Sequence, residues 1–503
     1  VAKTVLKTGG ERHLPQHSNP PNGDFMMETL PSDGLAALEA QAARDLDILA
    51  YPTPDWVTPV AAPDGTAALD CAIVGAGQYG VTIGAGLRRE RVRHIEIFDG
   101  AETGREGPWA TFARMAMLRT PKTLTGPDLG IPSLSFRAWW EAQHGAAGWD
   151  AIFRIPRTAW MDYLTWYRRT LDLPVRNGWR LTALTPVANG TMLELTFDTP
   201  LGPRTIFART CVLATGAAGS GGFSIPEEIR QAVPKERLHH ANDPFDPAIF
   251  KGLRIGILGA GASAFDTASA VLQAGAVSAD LCFRRPALPT TNPRRWMENA
   301  GYLAHYVDLP DARKWATMHR LLSIGQGPPK PTFDAAVALP GFALHPATGW
   351  DGVRRTGTDV EMTSGARKFR FDAVVVATGM RVDFGLRPEL SAIAAEAAFW
   401  ADRHVPAMDQ PSEALGRFPY LDRFGAFTER QPGAAPWLSR VLTVTRGATL
   451  SLGPVAASNS GMKYVAPRLI EGVKRRLFFD QEGQAWDDLL HRDHTELPLE
   501  ATP

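Results

Sequence analysis

Apolar positions along this chain fall into short runs, each followed by a helical pattern of buried and exposed residues. Residues 69–74 (LDCAIV) form the first such run and lead straight into a glycine-rich loop. A helical pattern follows, and then a second run, 94–98 (HIEIF), that ends in Asp99. A strand, a helix and a strand within about 30 residues predict a parallel βαβ unit. Residues 192–198 and 204–214 predict further strands, and the second of these ends in Ala214-Thr215-Gly216. The pattern restarts after Gly252 with strand 254–258, a second glycine loop, a helix and strand 279–283. Phe265, Ala268 and Leu272 share one face of that helix before Gly275 ends it. Strand 373–376 then reaches Ala377-Thr378-Gly379, and a final helix covers about 462–476, with Pro467 as a break point.

This order predicts an α/β fold with two Rossmann-like dinucleotide-binding domains, one inserted in the other. The expected divisions are an N-terminal extension with one helix (1–64), the discontinuous domain (65–225 and 365–480), the inserted domain (226–364) and a tail (481–503). Residues 1–33 lack periodicity and read as disordered or draped over the body, with Met26 or Met27 as a candidate natural start. Residues 34–49 space Leu35, Leu38, Ala42 and Leu46 as an amphipathic helix does, and a proline-rich connector follows.

Composition narrows the partners. Lys+Arg and Asp+Glu both number 53, so neither a nucleic-acid surface nor a charged tail is expected. No apolar run reaches the roughly 18 residues of a membrane span, and the first residues lack a secretory signal's apolar stretch. Cys71, Cys211 and Cys282 each fall within a predicted core strand and form no Cys-x-x-Cys pair, so they read as small core residues. A cytoplasmic setting is expected, with a homo-oligomer left open. No metal-ligand spacing occurs: His239-His240 is an adjacent pair, read here as a loop feature. The cluster Trp160 to Tyr167 has helical spacing and reads as core.

The glycine loops carry the chemistry. In Gly75-Ala76-Gly77-Gln78-Tyr79-Gly80, Gly75 serves the tight turn, Gly77 the approach of a pyrophosphate, and Gly80 the packing of helix on strand. A pyrophosphate would sit on amides at the helix N-terminus, where the dipole favours negative charge. Asp99, 19 residues past Gly80, can accept hydrogen bonds from a ribose. The second loop, Gly259-Ala260-Gly261-Ala262-Ser263-Ala264, ends in alanine, and its next strand meets Arg284-Arg285 with no acid. A guanidinium pair suits a 2′-phosphate that a carboxylate would repel. The first loop therefore predicts a dinucleotide with free ribose hydroxyls, and the second, with Ser263 and Ala264, predicts NADPH. The alternative for Arg284 and Arg285 is a pair of surface arginines beside an NADH site.

With these motifs the chain resembles the class B flavoprotein monooxygenases over about residues 68–480. The likeness rests on both glycine loops, both Ala-Thr-Gly strands and Ala377-Thr-Gly-Met-Arg-Val-Asp383. Gly107-Pro-Trp109 resembles the family's Gly-Gly-x-Trp beside the flavin, and Leu118-Arg-Thr-Pro-Lys122 resembles a Pro-Lys segment passing the flavin ring. Marks of the named branches are missing. His239-His240-Ala-Asn-Asp-Pro-Phe245 stands where Baeyer–Villiger enzymes carry their fingerprint, and Thr120 meets Pro121 where flavin-containing monooxygenases place an asparagine.

The resemblance implies that NADPH reduces FAD and that dioxygen, captured as a flavin C4a-(hydro)peroxide, gives one atom to a small molecule. N-, S- or heteroaromatic hydroxylation and Baeyer–Villiger oxidation are all open. It also implies Gly216, Gly379 and Asp383 as cofactor contacts, and Lys122 and Arg119 as catalytic cations near the flavin edge, with surface salt bridging as the alternative. The start of the last helix, around Ser460-Gly461-Met462, can aim amides at the flavin pyrimidine. Arg294-Arg295 are candidates for NADP or substrate contact. Segments 110–170 and 290–345, with Trp139, Trp140, Trp296, Tyr302 and Trp315, suit an aromatic or anionic substrate, although core packing explains tryptophans equally well. The rival functions are an FAD/NADPH reductase serving another acceptor and a non-enzymatic flavoprotein sensor.

Overall fold

The structure is a computed structural model that describes residues 33–49, 55–124, 126–357 and 359–494. The expectation for residues 1–32 lies outside the described residues. Two sheets organise the chain, the first mixed and the second parallel. In the first, the order is Val175–Asn177, Ile95–Asp99, Leu69–Val74, Arg204–Leu213, Met192–Asp198 and Arg180–Val187. Leu69–Val74 is buried along its whole length, as a parallel strand covered on both faces must be. Met192–Asp198 runs antiparallel to Arg204–Leu213 only as far as Ala208. Val441–Thr443 pairs parallel with the remainder, at Cys211–Leu213. The C-terminal part of the chain thus reaches the same sheet edge as the first glycine loop.

The second sheet is parallel throughout, in the order Phe342–His345, Ser278–Cys282, Arg254–Leu258, Ala373–Val376 and Leu238–His240. This corrects two expectations. His239 and His240 lie in a short strand, not a loop. Ala373–Val376 pairs with Arg254–Leu258, so the chain leaves the second body after residue 376, later than the expected 365. The antiparallel meander Gly352–Thr356, Asp359–Ser364 and Arg367–Phe371 precedes that strand. Both passages between the bodies run through one antiparallel ribbon, Gly221–Phe223 paired with Met380–Val382.

The helix Asp33–Leu49 docks on the first body. Ala42 is fully buried, the Trp166 indole donates to Glu39 at 3.0 Å, and the Ser133 hydroxyl donates to Asp45 at 2.5 Å. The aromatic cluster lies in helix Arg157–Thr170, where Trp160, Tyr163 and Tyr167 are fully buried, as expected of core. The last long helix, Asn459–Phe479, is longer than predicted and continues through Pro467. Its packing along helix Gln78–Arg89 compensates for the hydrogen bond that proline cannot donate. The expected tail contains a further helix, Glu482–Leu490. All three cysteines are buried and free. No helix among the described residues is long and apolar enough to cross a membrane.

Candidate functional site

Four segments meet at the C-terminal edge of the first sheet, where open α/β sheets bind their ligands. Gly75 has φ +107°, and a Cβ there would stand 2.4 Å from the Ala214 carbonyl oxygen. The loop and the first Ala-Thr-Gly therefore touch backbone to backbone. Gly80 is stricter: a Cβ would lie 1.8 Å from the Gly75 oxygen. Gly77 faces Gly107, with an added Cβ 4.0 Å from the Gly107 Cα, so two bare backbones border a gap at the start of helix Gln78–Arg89. The fourth segment is the beginning of helix Asn459–Phe479. The Tyr79 hydroxyl donates to the carbonyls of Ala456 and, at 2.9 Å, Ser458, while Thr82 Oγ1 reaches the buried Met462 sulfur at 3.6 Å. Gly461 packs against the Val455 carbonyl, where a Cβ would stand 2.4 Å away. Two helix N-termini are thereby held side by side, an arrangement favourable to phosphate and to negative charge on a flavin.

Asp99 sits at the end of its strand as expected, but its carboxylate already serves the protein. Oδ2 accepts from the Ala76 amide at 2.7 Å and Oδ1 from the Ala101 amide at 2.8 Å. Burial pushes its pKa up, and the two amides pull it down. Each oxygen retains a lone pair for a ribose hydroxyl. A cavity of about 280 Å³ opens beside Ala76, bordered by Val81, Glu106, Met161 and Arg168. Trp109 stands next to Gly107; its carbonyl accepts from Arg157, and its indole nitrogen is buried without a partner among the described residues. These cradles fit a flavin dinucleotide: small backbones where the chain must come close, helix termini beside them, and an acid at the ribose end. Gly216, at φ +74°, has open space around it.

The second loop repeats the geometry. A Cβ on Gly259 would lie 2.5 Å from the Ala377 oxygen, whereas Gly261, which caps helix Ala262–Gln273, faces open space. Ala264 is fully buried and Ser263 lies in the first turn. The arginine pair divides. Arg285 donates to the Ser323 and Ile324 carbonyls, both at 2.9 Å, and so ends helix Asp311–Ile324. Arg284 is exposed and has no polar partner among the described residues. Only Arg284 is free to meet a phosphate.

The two cations expected at the flavin edge are committed elsewhere. The Lys122 ammonium donates to the Trp149 carbonyl at 2.6 Å and lies 4.5 Å over the Trp149 ring. Arg119 pairs with Asp266, a nearly buried carboxylate on the second glycine helix. It ties one body to the other, and burial raises the Asp266 pKa while Arg119 lowers it. Arg114, which sequence reasoning missed, does the same job. It donates to the carbonyls of Ala241, Asp243 and Phe245 and covers the Phe245 ring at 3.6 Å. Desolvation lowers its pKa to about 10. Asp383 caps the turn Phe384–Leu386 and pairs with Arg381 and Arg417, which gives it a structural part. Gly379, at φ +82°, accepts from the Ser224 amide and from His240 Nε2, so it secures the ribbon between the bodies. Trp139, Trp140 and Trp315 are core residues; Trp296 is 69% exposed.

Comparison with known proteins agrees with this geometry. A family model described as FAD-NAD(P)-binding matches residues 72–218, and one described as L-lysine 6-monooxygenase/L-ornithine 5-monooxygenase matches residues 150–324. An FAD-dependent urate hydroxylase of Xanthomonas campestris pv. campestris is 43% identical over 464 residues, covering 92% of this chain and 97% of the relative. Among solved structures, the ornithine hydroxylase of Pseudomonas aeruginosa has TM-score 0.65 at 16% identity, over 82% of this chain and 100% of that one. The FAD-bound cadaverine monooxygenase of Erwinia amylovora has TM-score 0.63 at 14% identity, over 87% and 99%. At such identities the structural likeness speaks for the fold alone.

Proposed function

The chain belongs to the class B flavoprotein monooxygenases, enzymes that use FAD and NADPH to oxygenate small molecules, and on that premise we propose that its substrate is urate. The observation that carries the substrate is the 43% identity to a urate hydroxylase across nearly the whole of both chains. The balance is one urate, one dioxygen, one NADPH and one proton giving hydroxylated urate, NADP⁺ and water. FAD supplies the redox chemistry when bound, which is why no catalytic triad is needed.

In this reading Gly75, Gly77 and Gly80 receive the FAD pyrophosphate, Asp99 the ribose, and Trp109, Gly216, Gly461 and Met462 border the flavin. Gly259, Gly261, Ser263 and Ala264 receive NADPH, with Arg284 toward its 2′-phosphate. The chain's own contribution is placement. Tyr79 fixes the last helix against the first glycine helix, and Arg114 and Arg119 hold the second body over the sheet edge. Closing that junction keeps water from the reacting centre. Lys122 is assigned to structure and not to catalysis.

The test is turnover of the purified flavin-loaded protein with NADPH, urate and isotopically labelled dioxygen. One labelled oxygen atom in the product per NADPH consumed is the expected result. NADPH oxidation that proceeds without oxygen entering urate, with electrons passing to an added acceptor, would overturn it in favour of a reductase.

A further inference from the structure

Arg446 begins the turn Arg446–Ala448, separated by two residues from strand Val441–Thr443. It therefore stands at the sheet edge that carries Ala214-Thr215-Gly216. Its backbone is closely fixed: the Gly447 amide donates to the Ser220 hydroxyl at 2.8 Å, and Thr443 and Thr445 share a hydroxyl–hydroxyl hydrogen bond of 3.0 Å. Its guanidinium, although partly buried, has no hydrogen-bond or ion-pair partner among the described residues. Burial first, and then the like charge of Arg294 from the other body, hold its pKa below the usual arginine range.

Arg294 belongs to the short helix Pro293–Trp296 of the inserted body and donates to the Gln326 side-chain carbonyl. No carboxylate among the described residues neutralises it. The nearest acid in sequence, Glu298, is engaged by the Ser460 hydroxyl at 2.7 Å at the start of helix Asn459–Phe479. That bond also shows where Arg294 lies, because it docks the 293–298 segment against the first body beside the first glycine helix. Burial lowers the pKa of both arginines, and no acid among the described residues opposes the shift in either. A partly buried guanidinium pair with no counter-ion among the described residues is costly, and proteins keep such groups where an anion completes them.

We propose that Arg446 and Arg294 together form the anion-binding end of the substrate site, gripping the negatively charged, planar heterocycle between the two bodies. The assignment rests on the urate reading. A guanidinium fork matches adjacent oxygen and nitrogen acceptors on the edge of a urate anion. Phosphate of either dinucleotide is the competing source of negative charge. However, the two glycine loops offer helix N-termini for pyrophosphate, whereas this pair draws one arginine from each body, with Arg446 placed just beyond the strand at the sheet edge of the first.

The experiment uses flavin-loaded wild type, Arg446→Met, Arg294→Met and Arg446→Lys. Urate binding is measured by equilibrium dialysis, and kcat and KM for urate and for NADPH by initial rates. Each methionine variant is expected to weaken urate binding about ten- to a hundredfold, with KM for urate following. Arg446→Lys should recover part of that loss. Flavin content and KM for NADPH should stay at wild-type values, and the melting temperature of Arg446→Met without urate should not fall, since the charge removed has no partner among the described residues. Unchanged urate binding in both methionine variants would overturn the proposal, as would a loss that falls on NADPH or flavin, or a lower melting temperature of Arg446→Met without ligand. A wild type that neither binds nor oxidises urate would sink the urate reading and this assignment together. A wild type that oxidises urate while the variants match it would sink the assignment alone.

Discussion

The ion pair between Arg119 and Asp266 is the contact most open to a quantitative test, because it joins two separately built bodies through two side chains. The Asp266 side chain is 9% exposed and that of Arg119 is 32% exposed. At an effective dielectric constant near 20, unit charges about 4 Å apart attract by about 4 kcal/mol. Desolvating a nearly buried carboxylate removes much of that gain, so the net coupling should be about 1–2 kcal/mol. Arg114 also lowers the Asp266 pKa, so the carboxylate keeps some support when Arg119 is lost. Arg119→Met strands the carboxylate, and we expect a loss of about 2 kcal/mol in the urea stability of the holoenzyme. Asp266→Asn should cost less, because it leaves only the more exposed guanidinium unpaired. The double variant should be about 1–2 kcal/mol more stable than the two losses predict. Additivity within about 0.5 kcal/mol would refute the reasoning, since it would mean that the pair is not coupled. If the pair also sets how the second body meets the first, KM for NADPH should rise in the single variants and partly recover in the double.

Three further changes follow from the geometry. Gly80→Ala puts a Cβ 1.8 Å from the Gly75 carbonyl, so the first loop must shift; the purified protein should lose most of its flavin, as read by the absorbance ratio of flavin to protein. Asp99→Asn leaves one of the Ala76 and Ala101 amides facing an NH₂ group. It should lower apoprotein stability by about 2 kcal/mol before any cofactor is added, and an unchanged urea midpoint would contradict the two observed bonds. His240 stacks on Phe223 at 4.2 Å and uses Nε2 toward the Gly379 carbonyl while Nδ1 accepts from the Asn242 amide, and burial lowers its pKa. With the folded value below the unfolded one, the unfolded chain binds more protons in the window below about pH 6.5, so stability is full above that pH and falls as pH drops through the folded value. Urea midpoints from about pH 8 to about pH 5 should fall less steeply in His240→Gln; His239, shifted in the same direction, keeps part of the slope.

What could be read from the sequence follows from how locally each feature is determined. The strands at Leu69–Val74, Arg254–Leu258 and Ala373–Val376 are legible because a continuous buried run between turn residues has few other structures open to it. The glycine loops are legible for a steric reason: at Gly75, Gly80 and Gly259 a single methyl group would strike a carbonyl oxygen. The return from the inserted body was misplaced because Ala373–Val376 reads the same in either sheet, and only its partner, Arg254–Leu258, decides which sheet owns it. Charged side chains were harder still. Arg119 and Lys122 stand in one pentapeptide, yet one reaches across to a buried acid and the other turns back to a carbonyl of its own body. Arg284 and Arg285 are adjacent, and only one is left free by the end of helix Asp311–Ile324. A long flexible cation fixes its charge within the sequence but leaves its partner to the fold. The same reasoning explains why Arg446 carried no signal. Its neighbours, a short strand and a turn, look ordinary, and its meaning arises from an arginine of the other body, with no acid paired to either among the described residues. Backbone constraints therefore disclose the cofactors of this protein, whereas recognition of its substrate is written in side chains that meet only after both bodies have folded.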